Sequence, residues 1–269
     1  MTPPPPAIHL QHDGAAVRLL IDHPQRRNAF TRAMWRSVPG LVRQALEASP
    51  RALVVQSAVT GCFAAGADIS EFEATYATAA ESLRANDEIQ QAIEALAACP
   101  VPTLALIDGP CIGGGVAFAL ACDIRLASER ASFAVTPARL GLSYHPSDVT
   151  RLVRACGRAG AAELLFSGRA WSAQRAVAQG LANSVSAAAD FTTEAEALIS
   201  AICANSLDAT QALKRSLSAV ECDDAVAVER ARQEFEAQFA APDFLEGRDA
   251  FLARRTAQFP SHGSSKEPR

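Results

Sequence analysis

Residues 108–123 read DGPCIGGGVAFALACD, in which three consecutive glycines precede seven uncharged residues. The preceding segment, CPVPTLALID (99–108), predicts a strand, and GVAFALACD predicts a buried helix because it has no polar face. Glycine turns often bind phosphate, but a P-loop needs Gly-Lys-Ser/Thr and a dinucleotide fingerprint needs G-x-G-x-x-G, and neither is present. Two interpretations remain. The amides at the helix N-terminus bind an anion or a developing negative charge, or the glycines only allow close packing of strand and helix.

The composition excludes several classes of partner. The chain has 269 residues, of which 49% are hydrophobic and 20% charged, and its net charge is −4. This charge gives no electrostatic reason to expect nucleic acid or an anionic membrane as a partner. No stretch approaches the roughly 20 apolar residues that span a bilayer. With no signal-peptide layout at the N-terminus, we expect a cytoplasmic protein.

The seven cysteines are scattered and form no C-x-x-C pair. This arrangement predicts buried, reduced thiols, with no metal site and no disulfide framework. Cys111, beside the glycines, is a weak candidate for a nucleophile because no paired histidine stands near it in the sequence.

The rest of the chain predicts repeated strand–strand–helix units followed by helices. Thr31 is the predicted N-cap of a first helix, in which Pro39 and Gly40 could produce a kink. A second helix is predicted from about residue 79 to 98. From Thr150 onward the pattern is helical almost throughout. Further strands are predicted at 15–22, 51–58, 124–128 and 131–135, and breaks in the C-terminal helices at Gly157, Gly168 and Gly180.

A second turn of small residues, GCFAAGADISE (61–71), also follows a predicted strand. FAAGAD and the later GGG…ACD, separated by a long helix, resemble the crotonase (enoyl-CoA hydratase/isomerase) superfamily. Three further motifs occur in the same order as in that family: HPQRRNAF, FAVTPARLGL and LLFSGRAWSAQRAVAQGLANSV. Each motif alone is weak, but five in the right order and spacing extend the resemblance over about residues 8–260.

The resemblance implies an α/β crotonase (ClpP-like) fold, in which repeated β-β-α units form a spiral core. That core would span residues 8–190, and a C-terminal helical trimerisation region would span 191–260. The ends, 1–7 and 261–269, are expected to be disordered. Members of the family assemble as homotrimers or dimers of trimers, which would bury the apolar faces of the C-terminal helices.

The resemblance also implies an acyl-CoA thioester substrate, with coenzyme A as part of the substrate and no prosthetic group. Two backbone N–H groups would stabilise the enolate oxygen, and by position they belong to Ala67 and Gly114. The residues that match coenzyme A-binding positions of the family are Arg26, Arg27, Ala65, Asp68, Ile69, Phe251 and Arg254. For Arg27 and Arg254 a solvated charged face is an equal alternative, and for Asp68 and Asp123 we favour a role in capping or bracing the backbone around the hole.

One departure from the family pattern concerns the reaction. Hydratases of this family use two glutamates as general acid and base, and Ala117 and Pro137 occupy those two positions here. General acid–base catalysis contributes roughly 10²–10⁴-fold, so a standard addition of water is not expected. Loss of CO₂ from a malonyl-type acyl-CoA needs no carboxylate base, because it generates the enolate directly.

The segment TPARLGLSYHP (136–146) resembles methylmalonyl-CoA decarboxylase-like members of the superfamily. In that interpretation Thr136 and Tyr144 orient the departing carboxylate or protonate the enolate. Against it, Ala67 stands where those decarboxylases can carry histidine. His145 stands where other subfamilies place a catalytic aspartate, so it is a candidate acid or base or else a surface histidine. Asp148 is predicted to be the N-cap of the next helix.

Three hypotheses about function therefore remain open from the sequence. The chain is a decarboxylating lyase, or a hydratase or isomerase with a rearranged acid/base set, or a non-catalytic acyl-CoA-binding protein.

Overall fold

The computed structural model of the chain describes residues 5–259, which form nine strands and ten helices. The strands are β1 (Ala7–Asp13), β2 (Ala16–Asp22), β3 (Ala52–Ser57), β4 (Thr103–Ile107), β5 (Pro110–Ile112), β6 (Ile124–Ser128), β7 (Ser132–Ala134), β8 (Trp171–Ser172) and β9 (Ser184–Ser186). The helices are α1 (Arg32–Glu47), α2 (Phe72–Thr75), α3 (Ala79–Ala97), α4 (Gly114–Leu120), α5 (Pro146–Ser167), α6 (Ala173–Ala178), α7 (Phe191–Cys203), α8 (Leu207–Glu221), α9 (Ala225–Gln238) and α10 (Pro242–Leu252).

The strands form two sheets. The larger sheet has the order β1-β2-β3-β4-β6-β9, in which β1 is antiparallel to β2 and every other pair is parallel. The smaller sheet has the order β5-β7-β8. Parallel strands are normally covered on both faces, and β4 is buried at all five positions. The parallel arrangement places the ends of β3 and β4 at one edge of the larger sheet, where the two glycine-containing turns begin.

Alternate residues of the central strands belong to two hydrophobic clusters. Leu53 and Ile107 face the larger cluster, which also contains buried side chains from α1, α3 and α4. Val54 and Leu104 face the smaller cluster, with Phe191 from α7. This period of two follows from the pleat of a strand. Because α7 covers one face of the larger sheet, the predicted division at residue 190 falls within a shared core.

The structure confirms most of the predicted elements. The strands predicted in residues 15–22, 51–58, 99–108, 124–128 and 131–135 are present, as are the buried helix after the glycines and the helix near 79–98. Thr31 caps α1, since its side chain accepts a hydrogen bond from the Met34 amide, and α1 continues through Pro39. Gly157 interrupts α5 with a φ of 68°, and Gly168 ends it.

The N-terminal prediction needs a correction. Residues 1–7 were expected to be disordered, but Ala7 begins β1, which pairs with β2 along its whole length. In AIHLQHD the apolar alternation covers only Ile8 and Leu10, since β1 is an edge strand whose second half is open to solvent. Residues 5 and 6, also within that prediction, precede β1 outside any helix or strand, and 1–4 and 261–269 lie outside the described range. No helix within residues 5–259 is long and apolar enough to cross a membrane.

Candidate active site

The two turns of small residues lie against each other. Ala64 forms a parallel bridge with Cys111, and its carbonyl accepts a hydrogen bond from the Ile112 amide at 2.9 Å. A Cβ added to Gly115 would lie 2.7 Å from the Ala64 carbonyl oxygen. The backbones at Ala64 and Gly115 are therefore in direct contact, so the interpretation that the glycines allow close packing is correct for this position.

The backbone of Ala67 is turned toward the second of these turns. Phe30 donates to the Gly66 carbonyl at 2.7 Å and accepts from the Asp68 amide at 2.9 Å. In such a parallel bridge the intervening residue, Ala67, directs its own N–H away from Phe30. A Cβ on Gly66 would lie 3.6 Å from the Gly114 nitrogen, which places the two predicted oxyanion donors side by side.

The direction of the Gly114 N–H is set by the peptide bond before it. Gly113 has a φ of 54° and a ψ of −116°, a conformation that favours glycine. Its carbonyl accepts hydrogen bonds from the Val116 amide and the Tyr144 hydroxyl, both at 2.9 Å. Because the peptide is trans, the Gly114 N–H points the opposite way. Within residues 5–259 neither the Ala67 nor the Gly114 amide donates to another protein atom, so both remain available to a ligand oxygen.

A narrow pocket opens beside Ala67. Its volume is about 20 Å³, the space of one or two water molecules. It is lined by Phe30, Arg32, Trp35, Ala67, Asp68, Glu71, Phe72, Thr75, Tyr76, Ala85 and Ile89.

The two positions that carry glutamates in hydratases hold no acid here. Ala117 lies in the first turn and a half of α4 and is 1% exposed. Pro137 begins a short 3₁₀ helix, residues 137–140. Thr136 precedes it, with its hydroxyl 3.8 Å from the position of a Cβ on Gly113. Two hydroxyl side chains, those of Thr136 and Tyr144, thus approach Gly113, but no carboxylate stands at either glutamate position.

The Tyr144 hydroxyl stays protonated. Burial raises its pKa well above the usual range, and the nearby Asp148 carboxylate adds to this effect. A neutral hydroxyl can donate to the Gly113 carbonyl at all ordinary pH values. The sequence predicted that Tyr144 acts on the substrate, and the structure shows its hydroxyl on the backbone of the oxyanion turn.

The cap of α5 differs from the prediction. Asp148 was expected to be the N-cap, but His145 occupies that position, and its Nδ1 pairs with Ser147. Pro146 is the first residue of the helix, a position that its ring favours, so the cap falls one residue before it. Asp148 is instead in the first turn, 3% exposed, and accepts from Gln90 of α3 at 3.1 Å. Burial raises the pKa of Asp148, although Gln90 and Arg151 oppose the shift.

The predicted coenzyme A residues of the N-terminal half cluster at one edge of the site. Ala65 donates to the Arg27 carbonyl at 3.1 Å, which joins the arginine loop to the FAAGAD turn. Arg26, Arg27 and Ile69 are exposed. Burial opposes ionisation of Asp68, but hydrogen bonds from Ser70 and the charges of His23 and Arg26 lower its pKa. Asp68 therefore braces the turn, as predicted.

Three other predicted residues lie elsewhere. Asp123 was expected to brace the hole, but it binds Lys214 at 2.7 Å and the Thr103 amide at 2.7 Å, at the start of β4. Asp123 follows the C-terminal end of α4, whereas the glycines lie at its N-terminal end. Phe251 is 82% exposed, and the chain that follows it and Arg254 is held by Arg51, which precedes β3. Within one chain α10 is thus held at the opposite end of β3 from the FAAGAD turn.

Two further groups were assessed as reactive centres. The Cys111 thiol is fully buried, and burial raises its pKa well above the usual range, so it stays protonated and is a poor nucleophile. In the part of the chain that the structure describes, no group of three or more His, Cys, Asp or Glu side chains could hold a metal ion.

One residue of this site was missed by sequence reasoning. Trp35 lies on α1, and a Cβ on Gly114 would be 3.1 Å from its Cζ2 atom. The apolar periodicity of α1 predicts a buried face, but it does not indicate which residue meets the glycine turn.

Comparison with known proteins tests the resemblance to the enoyl-CoA hydratase/isomerase family. The model of the enoyl-CoA hydratase/isomerase family matches residues 12–262. YngF of Bacillus subtilis (strain 168), an enoyl-CoA hydratase/isomerase by name, is 30% identical over 243 residues, which are 90% of this chain and 93% of YngF. The mitochondrial methylglutaconyl-CoA hydratase of Mus musculus is 33% identical over 180 residues, or 66% of this chain and 56% of that protein.

Solved structures agree in fold. A family protein from Hyphomonas neptunium has a TM-score of 0.90 and 36% identity, covering 95% of this chain and 98% of that one. An enoyl-CoA hydratase from Bacillus anthracis has a TM-score of 0.88 and 27% identity, covering 95% and 99%. Together with the paired amides at Ala67 and Gly114, these matches show that the chain belongs to the enoyl-CoA hydratase/isomerase family and has the crotonase fold.

Proposed function

We propose that the protein is a lyase that decarboxylates a malonyl-type acyl-CoA. One observation carries the proposal: two free, converging amides remain at Ala67 and Gly114, while Ala117 and Pro137 replace both acids that hydration requires. The site is thus equipped to stabilise a thioester enolate but has no carboxylate at the positions that deliver or remove protons in hydratases. Coenzyme A takes part only as a portion of the substrate.

The reaction follows from this arrangement. The thioester oxygen accepts hydrogen bonds from the Ala67 and Gly114 amides. The bond between the α-carbon and the carboxylate breaks, CO₂ leaves, and the electron pair of that bond forms the enolate, whose negative oxygen the two amides stabilise. A proton that derives from solvent then adds to the α-carbon, which gives the shortened acyl-CoA. The overall reaction consumes one proton and needs no base.

In this mechanism Tyr144 is a positioning residue. Its hydroxyl holds the Gly113 carbonyl and thereby aims the N–H on the other side of the same peptide bond. The Thr136 hydroxyl lies near the same turn, 3.8 Å from the position of a Cβ on Gly113. Arg26 and Arg27, exposed beside the FAAGAD turn, supply positive charge for the phosphates of coenzyme A.

A second candidate function is hydration or isomerisation with a rearranged acid/base set, and Asp148 is the observation that favours it. This carboxyl is buried near Tyr144 and has a raised pKa, as expected of a general acid or base. Against it, Asp148 is already held by Gln90 and Arg151, and His145 is engaged in capping α5.

Incubation with malonyl-CoA and methylmalonyl-CoA, followed by mass spectrometry of the acyl-CoA products and detection of released CO₂, tests the proposal. We expect acetyl-CoA and propionyl-CoA at a rate that the Asp148→Asn variant retains. Hydration of crotonyl-CoA without release of CO₂, lost in Asp148→Asn, would establish the second candidate instead. Binding of every acyl-CoA without turnover would identify a non-catalytic binding protein.

We also propose that the chain assembles as a homotrimer or a dimer of trimers. Large apolar side chains are exposed on α8, α9 and α10, which is unusual for a monomer. A mass of three or six chains by light scattering is the expected result, and a single-chain mass would contradict it. The residues concerned include Leu213, Leu217, Val220, Val226, Phe235 and Phe251.

A further inference from the structure

Asn28 lies in the loop 23–30 and is fully buried, and its carboxamide makes three hydrogen bonds. Its Oδ1 accepts from the His23 amide at 2.8 Å. Its Nδ2 donates to the Ser57 hydroxyl at 2.7 Å and to the Phe63 carbonyl at 3.2 Å. One side chain thus joins the start of this loop, the end of β3 and the first residue of the FAAGAD turn.

The chemistry of the three partners fixes the direction of each bond. A backbone amide can only donate and a backbone carbonyl can only accept, so the oxygen of Asn28 faces His23 and its nitrogen faces Phe63. The Ser57 hydroxyl has a single proton, which it donates to the Val59 carbonyl at 2.6 Å, so it accepts from Asn28. A side chain of this size that carries one acceptor and two donors satisfies all three partners, and asparagine is the residue that supplies them.

The backbone of the loop 23–30 also needs this support. Arg27 and Asn28 have φ values of 51° and 55°, in the left-handed region that residues other than glycine rarely adopt. Residues in this region persist where the surrounding contacts hold them there. The Asn28 amide donates to the His23 carbonyl at 2.8 Å. Asn28 therefore binds both backbone groups of His23 and closes the loop.

The same loop holds the backbone on both sides of Ala67. Phe30 donates to the Gly66 carbonyl at 2.7 Å and accepts from the Asp68 amide at 2.9 Å. The Gly66 carbonyl and the Ala67 N–H belong to one trans peptide group, so the bond from Phe30 to that carbonyl directs the Ala67 N–H to the opposite side. Because Phe30 follows Asn28 by two residues, the direction of the Ala67 N–H depends on the conformation that Asn28 holds.

We propose that Asn28 is a positioning residue of the oxyanion hole. Its carboxamide fixes the conformation of the loop 23–30, and the loop places the Phe30 N–H against the Gly66 carbonyl. That bond aims the Ala67 N–H at the thioester oxygen. The inference rests on the proposed function through the role of the Ala67 amide as an oxyanion donor, and it does not depend on which bond of the acyl group breaks.

Asn28→Asp tests this role, because it keeps the size of the side chain and replaces both N–H donors by an oxygen. An acceptor then faces the Phe63 carbonyl, so the loop must move away from it. The probe is acetyl-CoA labelled with ¹³C at the thioester carbonyl, whose infrared stretching frequency falls when its oxygen accepts hydrogen bonds. The frequency should be lower in the complex with the wild type than in free acetyl-CoA. In Asn28→Asp this lowering should be smaller but not abolished, since the Gly114 amide remains.

A kinetic measurement accompanies the spectrum. With the acyl-CoA that the wild type converts, kcat should fall about 10- to 100-fold in Asn28→Asp, somewhat less than for complete loss of an oxyanion donor. KM should change little, because the two amides bind the charged enolate more strongly than the neutral thioester. Asn183→Asp is the matched control. The Asn183 oxygen accepts from the Arg125 amide at 2.8 Å, a bond that a carboxylate can keep, and Asn183 is exposed. Its carbonyl frequency and kcat should equal those of the wild type.

Ser57→Ala is a milder variant, because it removes one acceptor of the Asn28 amide group and leaves the bonds to His23 and Phe63. The carbonyl frequency in this variant should lie between those of the wild type and Asn28→Asp. Circular dichroism and thermal unfolding show which variants are folded. A wild-type frequency in folded Asn28→Asp would overturn the inference, even if kcat falls. Where Asn28→Asp does not fold, a wild-type frequency in Ser57→Ala would overturn it.

Failure of this inference differs from failure of the proposed function. A carbonyl frequency that is lowered equally in the wild type and in Asn28→Asp refutes the role of Asn28 and leaves decarboxylation intact. A lowering that depends on Asn28, without release of CO₂ from malonyl-CoA or methylmalonyl-CoA, refutes decarboxylation and leaves the role of Asn28 intact.

Discussion

The two turns of small residues, which carry the proposed oxyanion donors, differ sharply from the segment 136–148, which contacts Gly113. In the turns, the functional groups are amides, and glycine and alanine suffice because only shape is required. In the segment, any proton transfer depends on the identity of a side chain, and the hydratase acid at position 137 is replaced by proline. A backbone donor survives most substitutions, whereas an acid is lost in one step. Under the proposed function, the stabilisation of an enolate is thus retained while the reaction built on it changes.

The largest effect is expected where the two turns touch. In Gly115→Ala the new methyl group would lie 2.7 Å from the Ala64 carbonyl oxygen, so the turns must separate. Loss of one oxyanion donor lowers the rate about 10²–10³-fold, and overpacking costs about 1–3 kcal/mol of stability. Steady-state kinetics and thermal unfolding measure both quantities. Gly40→Ala is the control, because a methyl group in the exposed face of α1 meets only the Arg43 side chain at 3.9 Å; if it were as damaging, the contact would not be the cause.

A smaller effect is expected at the boundary between the two regions. Tyr144→Phe removes the hydroxyl that holds the Gly113 carbonyl, and we expect kcat to fall about 3- to 10-fold with little change in KM. Kinetics with the acyl-CoA that the wild type converts measure this directly. A loss of about 10²–10⁴-fold would instead identify Tyr144 as a proton donor. Thr136→Val, which alters the other hydroxyl near Gly113, should cause a smaller loss than Tyr144→Phe.

The smallest effect is expected at Asp148, in the segment 136–148, and it concerns how stability changes with pH. Because folding raises the pKa of Asp148, the folded state binds its proton more tightly than the unfolded state, and this carboxyl lowers stability as the pH rises through that pKa. The melting temperature of Asp148→Asn relative to the wild type should therefore increase with pH. Each kcal/mol corresponds to about 2–4 °C for a chain of this size. A constant difference from acid to neutral pH would contradict the raised pKa.

Glu88→Gln, on α3, is expected to show the opposite pH dependence of stability from Asp148→Asn. Arg32 and then Arg36 lower the Glu88 pKa to about 2, against a desolvation effect that raises it. This carboxylate stabilises the fold above the ordinary pKa of 4.5, and the contribution disappears as the pH falls toward 2. The variant should therefore be less stable near neutral pH, by about 1 kcal/mol for a partly exposed pair, and equal to the wild type in strong acid. Thermal unfolding of Asp148→Asn and Glu88→Gln at several pH values measures whether the stability of each variant relative to the wild type rises or falls with pH.

Prediction from the sequence succeeded where the signal is local. The strand before Gly113 and the buried helix after it are contiguous, so the turn between them follows from a short stretch. It failed at the cap of α5, where three candidate polar residues, His145, Ser147 and Asp148, lie within four positions. There the ring of Pro146 decides the boundary. Asp123 was misplaced because its partner Lys214 is 91 residues away in the chain.

The sequence by itself determined the family, the positions of the two amides proposed to face a thioester oxygen, and the absence of both hydratase glutamates. Each of these depends on residues that are neighbours in a turn or on the identity of one residue at a known offset. Only the tertiary structure showed that the Tyr144 hydroxyl holds the Gly113 carbonyl, that Asp148 is buried against α3, and that the Trp35 ring contacts Gly114. These features depend on how distant segments pack, and packing is decided by the whole core rather than by any one stretch of chain.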